Sequence, residues 1–236
     1  MPLRTIGMLL ALPLLAAGCG DRNPVADDGH GQFASPSTCA STVAGAAEVA
    51  RVDLDGDGTA DPIHYVPATG RCGPLLSAVV GGRQDTVALG EGLPVRAAGS
   101  FAISVPGRAG QLVMVLEQHP RGGFQAHLFG YAGGKLEELQ VDGKPIFPFV
   151  ATDTLSTPLA ATCTEGGFEV TTAQAHQPIG VVPAWDIQRT TYELDGNAVT
   201  THAITVVADN VLDGQLRRKY ADLVHHRLFE NCRAGS

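Results

Sequence analysis

Short β-type runs cut by glycine-bearing turns recur along this chain from Ala47 onward, and that spacing limits the folds open to it. The runs include Leu75–Val80, Thr86–Leu89, Phe101–Val105, Leu112–Gln118, Gln125–Tyr131, Leu136–Val141, Phe168–Thr172, Arg189–Leu194 and Ala203–Ala208. Gly81-Gly82, Pro106-Gly107, Gly122-Gly123, Gly133-Gly134, Asp142-Gly143 and Asp195-Gly196 mark the breaks. A tight turn built on such residues folds a strand back onto its neighbour. A parallel pair would need a crossover of about a dozen residues or more. The pattern therefore predicts a mainly β domain of antiparallel sheets, propeller-like or a compact sandwich. No G-x-G-x-x-G or P-loop sequence follows a strand-like run, so a nucleotide cradle is not indicated.

Two segments depart from the β pattern. In Leu212–Phe229 the apolar residues Leu216, Tyr220, Leu223, Val224 and Leu228 recur at helical spacing. This predicts a short C-terminal helix packed on the sheet edge and pinned by Cys232. Ser41–Ala50 is Ala-rich and is a second helical candidate.

The N-terminus carries an address rather than a fold. Arg4 precedes an uncharged apolar run from Ile6 to Ala17. That run is shorter than the roughly 20 residues a spanning helix needs, and it fits the apolar region of a signal peptide. It ends in Leu15-Ala16-Ala17-Gly18-Cys19, which resembles the bacterial lipobox, although Leu stands one position earlier than usual. The resemblance implies cleavage after residue 18 and lipid on Cys19. Two or three acyl chains hold a protein on a membrane far more firmly than one. Residues 19–38 are polar and rich in Gly, Pro, Asp and Ser, a composition that cannot bury enough apolar surface to order itself. They are read as a flexible tether to a domain at 39–236.

With Cys19 lipidated, Cys39, Cys72, Cys163 and Cys232 remain. An even set in an exported chain points to two disulfides with three possible connectivities. Cys39–Cys72 with Cys163–Cys232 is the favoured pairing, since each bond then staples one half of the domain. No C-x-x-C pair supports a zinc ribbon or a redox motif. The formal net charge is −8, with no basic run longer than Arg217-Arg218-Lys219. This argues against nucleic-acid binding and against an electrostatic hold on anionic lipid.

The sharpest chemical signal is Asp53-Leu54-Asp55-Gly56-Asp57-Gly58-Thr59-Ala60-Asp61. Carboxylates stand at loop positions 1, 3, 5 and 9, and Gly58 stands at position 6. Ca²⁺ takes six to eight oxygen ligands, and alternate residues of a tight loop can converge on one point. Thr59 would add its backbone carbonyl. Four carboxylates so close together repel unless a cation neutralises them. An EF-hand would need Glu at position 12 and flanking helices, whereas position 12 is His64 in a strand-like exit bounded by Pro62 and Pro67. The loop resembles the strand–loop–strand calcium loop of FG-GAP and VCBS-type repeats. That resemblance implies Asp53, Asp55, Asp57 and Asp61 as side-chain ligands of Ca²⁺. Ser104–Gly110 could occupy the matching place in a second unit, with its acids lost. The chain as a whole resembles secreted actinobacterial lipoproteins, through VDLDGDG, EQHPRGGFQAHLFGY, PAWDIQRTTYELDGN and LRRKY…LFENC. This implies an envelope location and no particular activity.

Other candidates carry less. The His119–Phe124 segment, with Arg121 just before Gly122-Gly123, reads as a hairpin turn. His225-His226 reads as a surface pair on the terminal helix, its rings about 100° apart and so poorly placed to share a metal. Trp185 reads as a core anchor over a sugar-stacking platform. G-x-S-x-G, S-x-x-K and H-E-x-x-H are all missing from the sequence. The expectation is a membrane-anchored, Ca²⁺-stabilised β module that meets an envelope protein or glycan. The alternative is an envelope hydrolase with an unrecognised site.

Overall fold

In the computed structural model the described residues are 39, 43, 46–68, 72–89, 96–118, 122–150, 157–176 and 184–233, with backbone alone for 96–98. The expected signal peptide, Cys19, the tether at 19–38 and the His119-Pro120-Arg121 turn lie outside them.

The β expectation holds, and three of the four sheets are four-stranded meanders in chain order. The first contains β1 (Ala47–Val52), β2 (Asp61–Val66), β3 (Leu75–Val80) and β4 (Arg83–Ala88). The second contains β5 (Arg96–Ile103), β6 (Leu112–Gln118), β7 (Phe124–Ala132) and β8 (Lys135–Glu138). A small ribbon of β9 (Gln140–Val141) and β10 (Lys144–Pro145) follows. The third meander contains β11 (Leu159–Thr164), β12 (Gly167–Ala175), β13 (Ala184–Asp195) and β14 (Ala198–Leu212). Every neighbouring pair of strands is antiparallel.

The second sheet is buried on both faces, so the meanders form three layers, one more than a sandwich has. Successive side chains of a strand point to opposite faces. Leu112 and Met114 of β6, with Ala126 and Leu128 of β7, join Phe168, Val170 and Leu159 of the third sheet in one core cluster. Val113 and Val115, with Phe129, join Ile63, Leu76, Ala78 and Val80 of the first sheet in another. This double burial explains why Leu112–Leu116 is apolar throughout instead of alternating. The first two sheets meet with like strands facing. The Ser100 hydroxyl of β5 donates to the Val49 carbonyl of β1, and the Leu136 amide of β8 donates to Asp85 of β4 at 2.6 Å.

The expected terminal helix is divided. Helix α1 (Asp213–Lys219) and helix α2 (Ala221–Val224) are separated by Tyr220, whose φ of −128° breaks the helical path. Leu216 and Leu223 pack with Trp185, Ile187 and Val211 on the outer face of the third sheet. Trp185 is therefore a core residue. The Ala-rich segment expected as a helix contributes Ala47–Ala50 to β1 instead, because pairing with β2 offers those residues a ladder. His225 and His226 follow the end of α2. His226 is half-buried and packs edge-on against Phe124 at 5.6 Å, whereas His225 is exposed as expected.

Both favoured disulfides are present. Cys39–Cys72 closes the first sheet, and Cys163–Cys232 ties β11 to the C-terminal segment. That segment runs beside β11, bridging Leu228 to Ala161 and Arg233 to Ile103 of β5. The Asn231 side chain grips both the amide and the carbonyl of Cys163, each at 3.1 Å.

Candidate functional site: an acidic loop and its clasp

The acidic loop joins β1 to β2, anchored by fully buried Val52 and Leu54. Gly56 and Gly58 take φ of +79° and +85°, the left-handed conformation that lets the loop curl over its own carboxylates. The Asp53 carboxylate accepts from the Gly56 amide at 2.9 Å and from the Gly58 amide at 3.1 Å. Asp55 accepts from the Asp57 amide at 3.2 Å, and Asp57 from the Thr59 amide at 2.6 Å. Asp61, the first residue of β2, is buried and accepts from the Leu54 amide at 3.0 Å.

Three of the predicted ligands come together. One carboxylate oxygen from each of Asp53, Asp55 and Asp61 lies within 4.8 Å of the others. Oxygens bound to one Ca²⁺ at about 2.3–2.6 Å can be at most about 5 Å apart, so the trio fits a shared cation. Burial, and then the charges of Asp55, Asp57 and Asp53, push the Asp61 carboxyl above its usual range, against the opposing Leu54 hydrogen bond. A cation would relieve that repulsion. Asp57 stands outside the trio, turned to the Thr59 amide, and Thr59 is exposed.

The neighbouring unit holds this loop in place. Residues 104–111 join β5 to β6 as residues 53–60 join β1 to β2, the correspondence anticipated for Ser104–Gly110. Gln111 donates its amide to the Asp53 carbonyl at 2.6 Å and accepts from the Asp53 amide through Oε1 at 3.0 Å. Its Nε2 donates to the Ser104 hydroxyl at 2.9 Å. Gly56 and Gly110 approach backbone to backbone: a Cβ on Gly110 would lie 2.4 Å from the Leu54 carbonyl oxygen. On its other side the 104–111 loop meets the third sheet. The Gly166 amide donates to the Pro106 carbonyl at 2.8 Å. The Arg108 guanidinium donates to the Gly196 carbonyl and, at 3.4 Å, to the Asn197 side-chain oxygen. Asn197 donates onward to the Gly130 carbonyl of β7 at 3.1 Å. One loop thus ties all three meanders together at one end.

A second ionisable group sits deep between the first two sheets. His127 Nδ1 meets Glu138 Oε1 at 2.7 Å, and Nε2 meets Glu117 Oε2 at 3.1 Å. His127 and Glu117 are buried. Burial alone would lower the His127 pKa, but hydrogen bonds and charge from Glu117 and Glu138 outweigh it and raise the pKa to about 9. The glutamates flank the ring on opposite sides, so the three groups do not converge on one metal. A surface pair also occurs: His176 Nδ1 meets Asp186 Oδ2 at 2.7 Å, and Asp186 also accepts from the Asn210 amide. Among the described residues, no Ser, Thr or Cys side chain is hydrogen-bonded to either histidine.

Sequence reasoning missed Gln111, Arg108, Asn197 and the His127 cluster. The cluster left one trace: Glu117 and His127 occupy inward positions of otherwise apolar strands.

The site and fold together define a mainly β protein of stacked meanders with an acidic loop between the first two strands. No protein-family model, curated protein or solved structure matches the chain.

Proposed function

We propose that this chain is an extracytoplasmic lipoprotein whose β domain is a Ca²⁺-stabilised binding module, held at the membrane by lipid on Cys19. The convergence of Asp53, Asp55 and Asp61 on one point carries the cation part of this reading. Hard carboxylate oxygens without thiolate or imidazole partners suit Ca²⁺ better than a softer metal. Asp57 and the Thr59 carbonyl are the further ligands this reading assigns. Two disulfides are in keeping with an oxidising compartment. The partner is an envelope protein or glycan. The hydrolase alternative would call for a nucleophile beside a His–acid pair open to substrate: His127 and Glu117 are buried, and among the described residues the exposed His176–Asp186 pair has no Ser, Thr or Cys side chain hydrogen-bonded to it.

Thermal melting tests the cation. Ca²⁺ at about a thousand times its Kd should stabilise the protein by about 4 kcal/mol over EDTA. Asp55→Ala should abolish the response. Asp61→Asn should abolish it too, while raising the midpoint in EDTA by relieving repulsion. Equal midpoints for the wild type in EDTA and excess Ca²⁺ would make the loop a turn and nothing more. Cell fractionation tests the anchor: Cys19→Ser should move the protein from membrane to soluble fraction, and a variant that stays membrane-bound overturns the lipidation.

A further inference from the structure

A pocket of about 340 Å³ lies at the end of the second and third sheets, lined by Gly107, Arg108, Tyr131, Gly166, Asp195 and Gly196, among others. Its walls come from the 104–111 loop and from the turns after β11 and β13. Arg108 is half-buried and held rigidly by two neutral acceptors, the Gly196 carbonyl and the Asn197 side-chain oxygen. It forms no ion pair with a described acidic residue, and its Nε has no partner. Burial without a counter-charge pulls its pKa down. An unpaired cation removed from water is costly unless something supplies the missing charge. Asp195 lines the same pocket, exposed, and among the described residues its side chain has no hydrogen-bond or ion-pair partner. Gly107, Gly166 and Gly196 all take positive φ, so the turns that wall the pocket carry no side chain at these positions.

Two opposite charges that share a pocket without pairing are complementary to a ligand carrying both. We propose that this pocket binds a zwitterionic small molecule, an amino acid or the end of a short peptide, with its carboxylate on Arg108 and its ammonium at Asp195. A simple anion fits less well, because Asp195 and the neighbouring Glu165 oppose it. The volume suits a ligand of amino-acid to dipeptide size. This gives the binding module a ligand class and rests on that reading.

Titration of isotope-labelled protein with alanylalanine, followed through the amide signals of Gly107, Gly166 and Gly196, tests the site. Saturable shifts of these signals are expected. The N-acetylated and the C-amidated dipeptides, each lacking one charge, should bind at least tenfold more weakly. Asp195→Asn, an exposed turn substitution that leaves the fold intact, should weaken the parent dipeptide to the level of the acetylated one. Arg108→Gln should weaken it further. No shift at tens of millimolar dipeptide overturns the proposal, and so does equal binding of all three dipeptides or an unchanged affinity in Asp195→Asn. Running the titration with Ca²⁺ and with EDTA keeps it separate from the cation reading: shifts in both with no Ca²⁺ response in melting would remove the cation and leave this site standing.

Discussion

Replacing Gly110 by alanine should destabilise the protein by about 3 kcal/mol or more, well beyond the effect of the same change at an ordinary turn glycine. Gly110 has φ of +73°, a conformation that costs an L-residue roughly 1–2 kcal/mol. The added Cβ would also sit 2.4 Å from the Leu54 carbonyl oxygen and 3.2 Å from the Gly56 amide nitrogen. Both are backbone atoms of the acidic loop, so neither can swing aside as a flexible side chain would. The loops must separate, and the Gln111–Asp53 hydrogen bonds go with the contact. Gly134→Ala is the control, because its φ is +82° but its Cβ would meet nothing within 4 Å. It should cost only the conformational part, roughly 1–2 kcal/mol. Urea unfolding of the two variants measures the difference. Equal losses would mean that the two loops do not touch in solution.

The second large effect is expected at His127. Its folded pKa of about 9 exceeds the ordinary 6.5. The proton is therefore held more tightly in the folded state, and the stabilisation is fully present below pH 6.5. It is lost as pH rises through about 9. At 1.36 kcal/mol per unit the loss amounts to about 3 kcal/mol. Tyr65, facing Glu117 from β2, is pushed up to about 12 by burial and by that carboxylate, so it does not titrate in the same window. Urea melts at pH 6 and pH 10 measure the change. His127→Leu should remove most of this alkaline sensitivity and lower stability at neutral pH by about 3–5 kcal/mol, since it leaves Glu117 and Glu138 without their shared partner. A wild type as stable at pH 10 as at pH 6 would mean that the imidazolium is not held between the glutamates.

These two sites differ in how far they could be read from the sequence. The acidic loop was legible because its chemistry is local. Carboxylates two residues apart, with a glycine that allows the turn, already determine which side chains can converge. Even so, Asp57 matches the spacing and lies outside the trio, a difference that the spacing does not announce. The clasp was not legible. Gln111 is one ordinary polar residue before a strand, and its importance comes from facing Asp53 across 58 positions of chain. The His127 cluster likewise joins residues from three strands, β6, β7 and β8, whose register decides which side chains meet.

The same division runs through the fold. Turn chemistry and short β-type runs were enough for antiparallel sheets, since tight turns leave a strand little choice of neighbour. Helical spacing placed apolar residues on the face of α1 and α2, although the break at Tyr220 was not written in that spacing. Four cysteines left three pairings open, and spatial proximity selected Cys39–Cys72 and Cys163–Cys232. The stacking of three meanders, the double burial of the middle one and the loop that ties them together belong to the tertiary structure alone. Hydrophobic pattern says which residues leave water. It does not say which distant surface they meet, because apolar burial is nondirectional and only packing and hydrogen-bond geometry choose the partner.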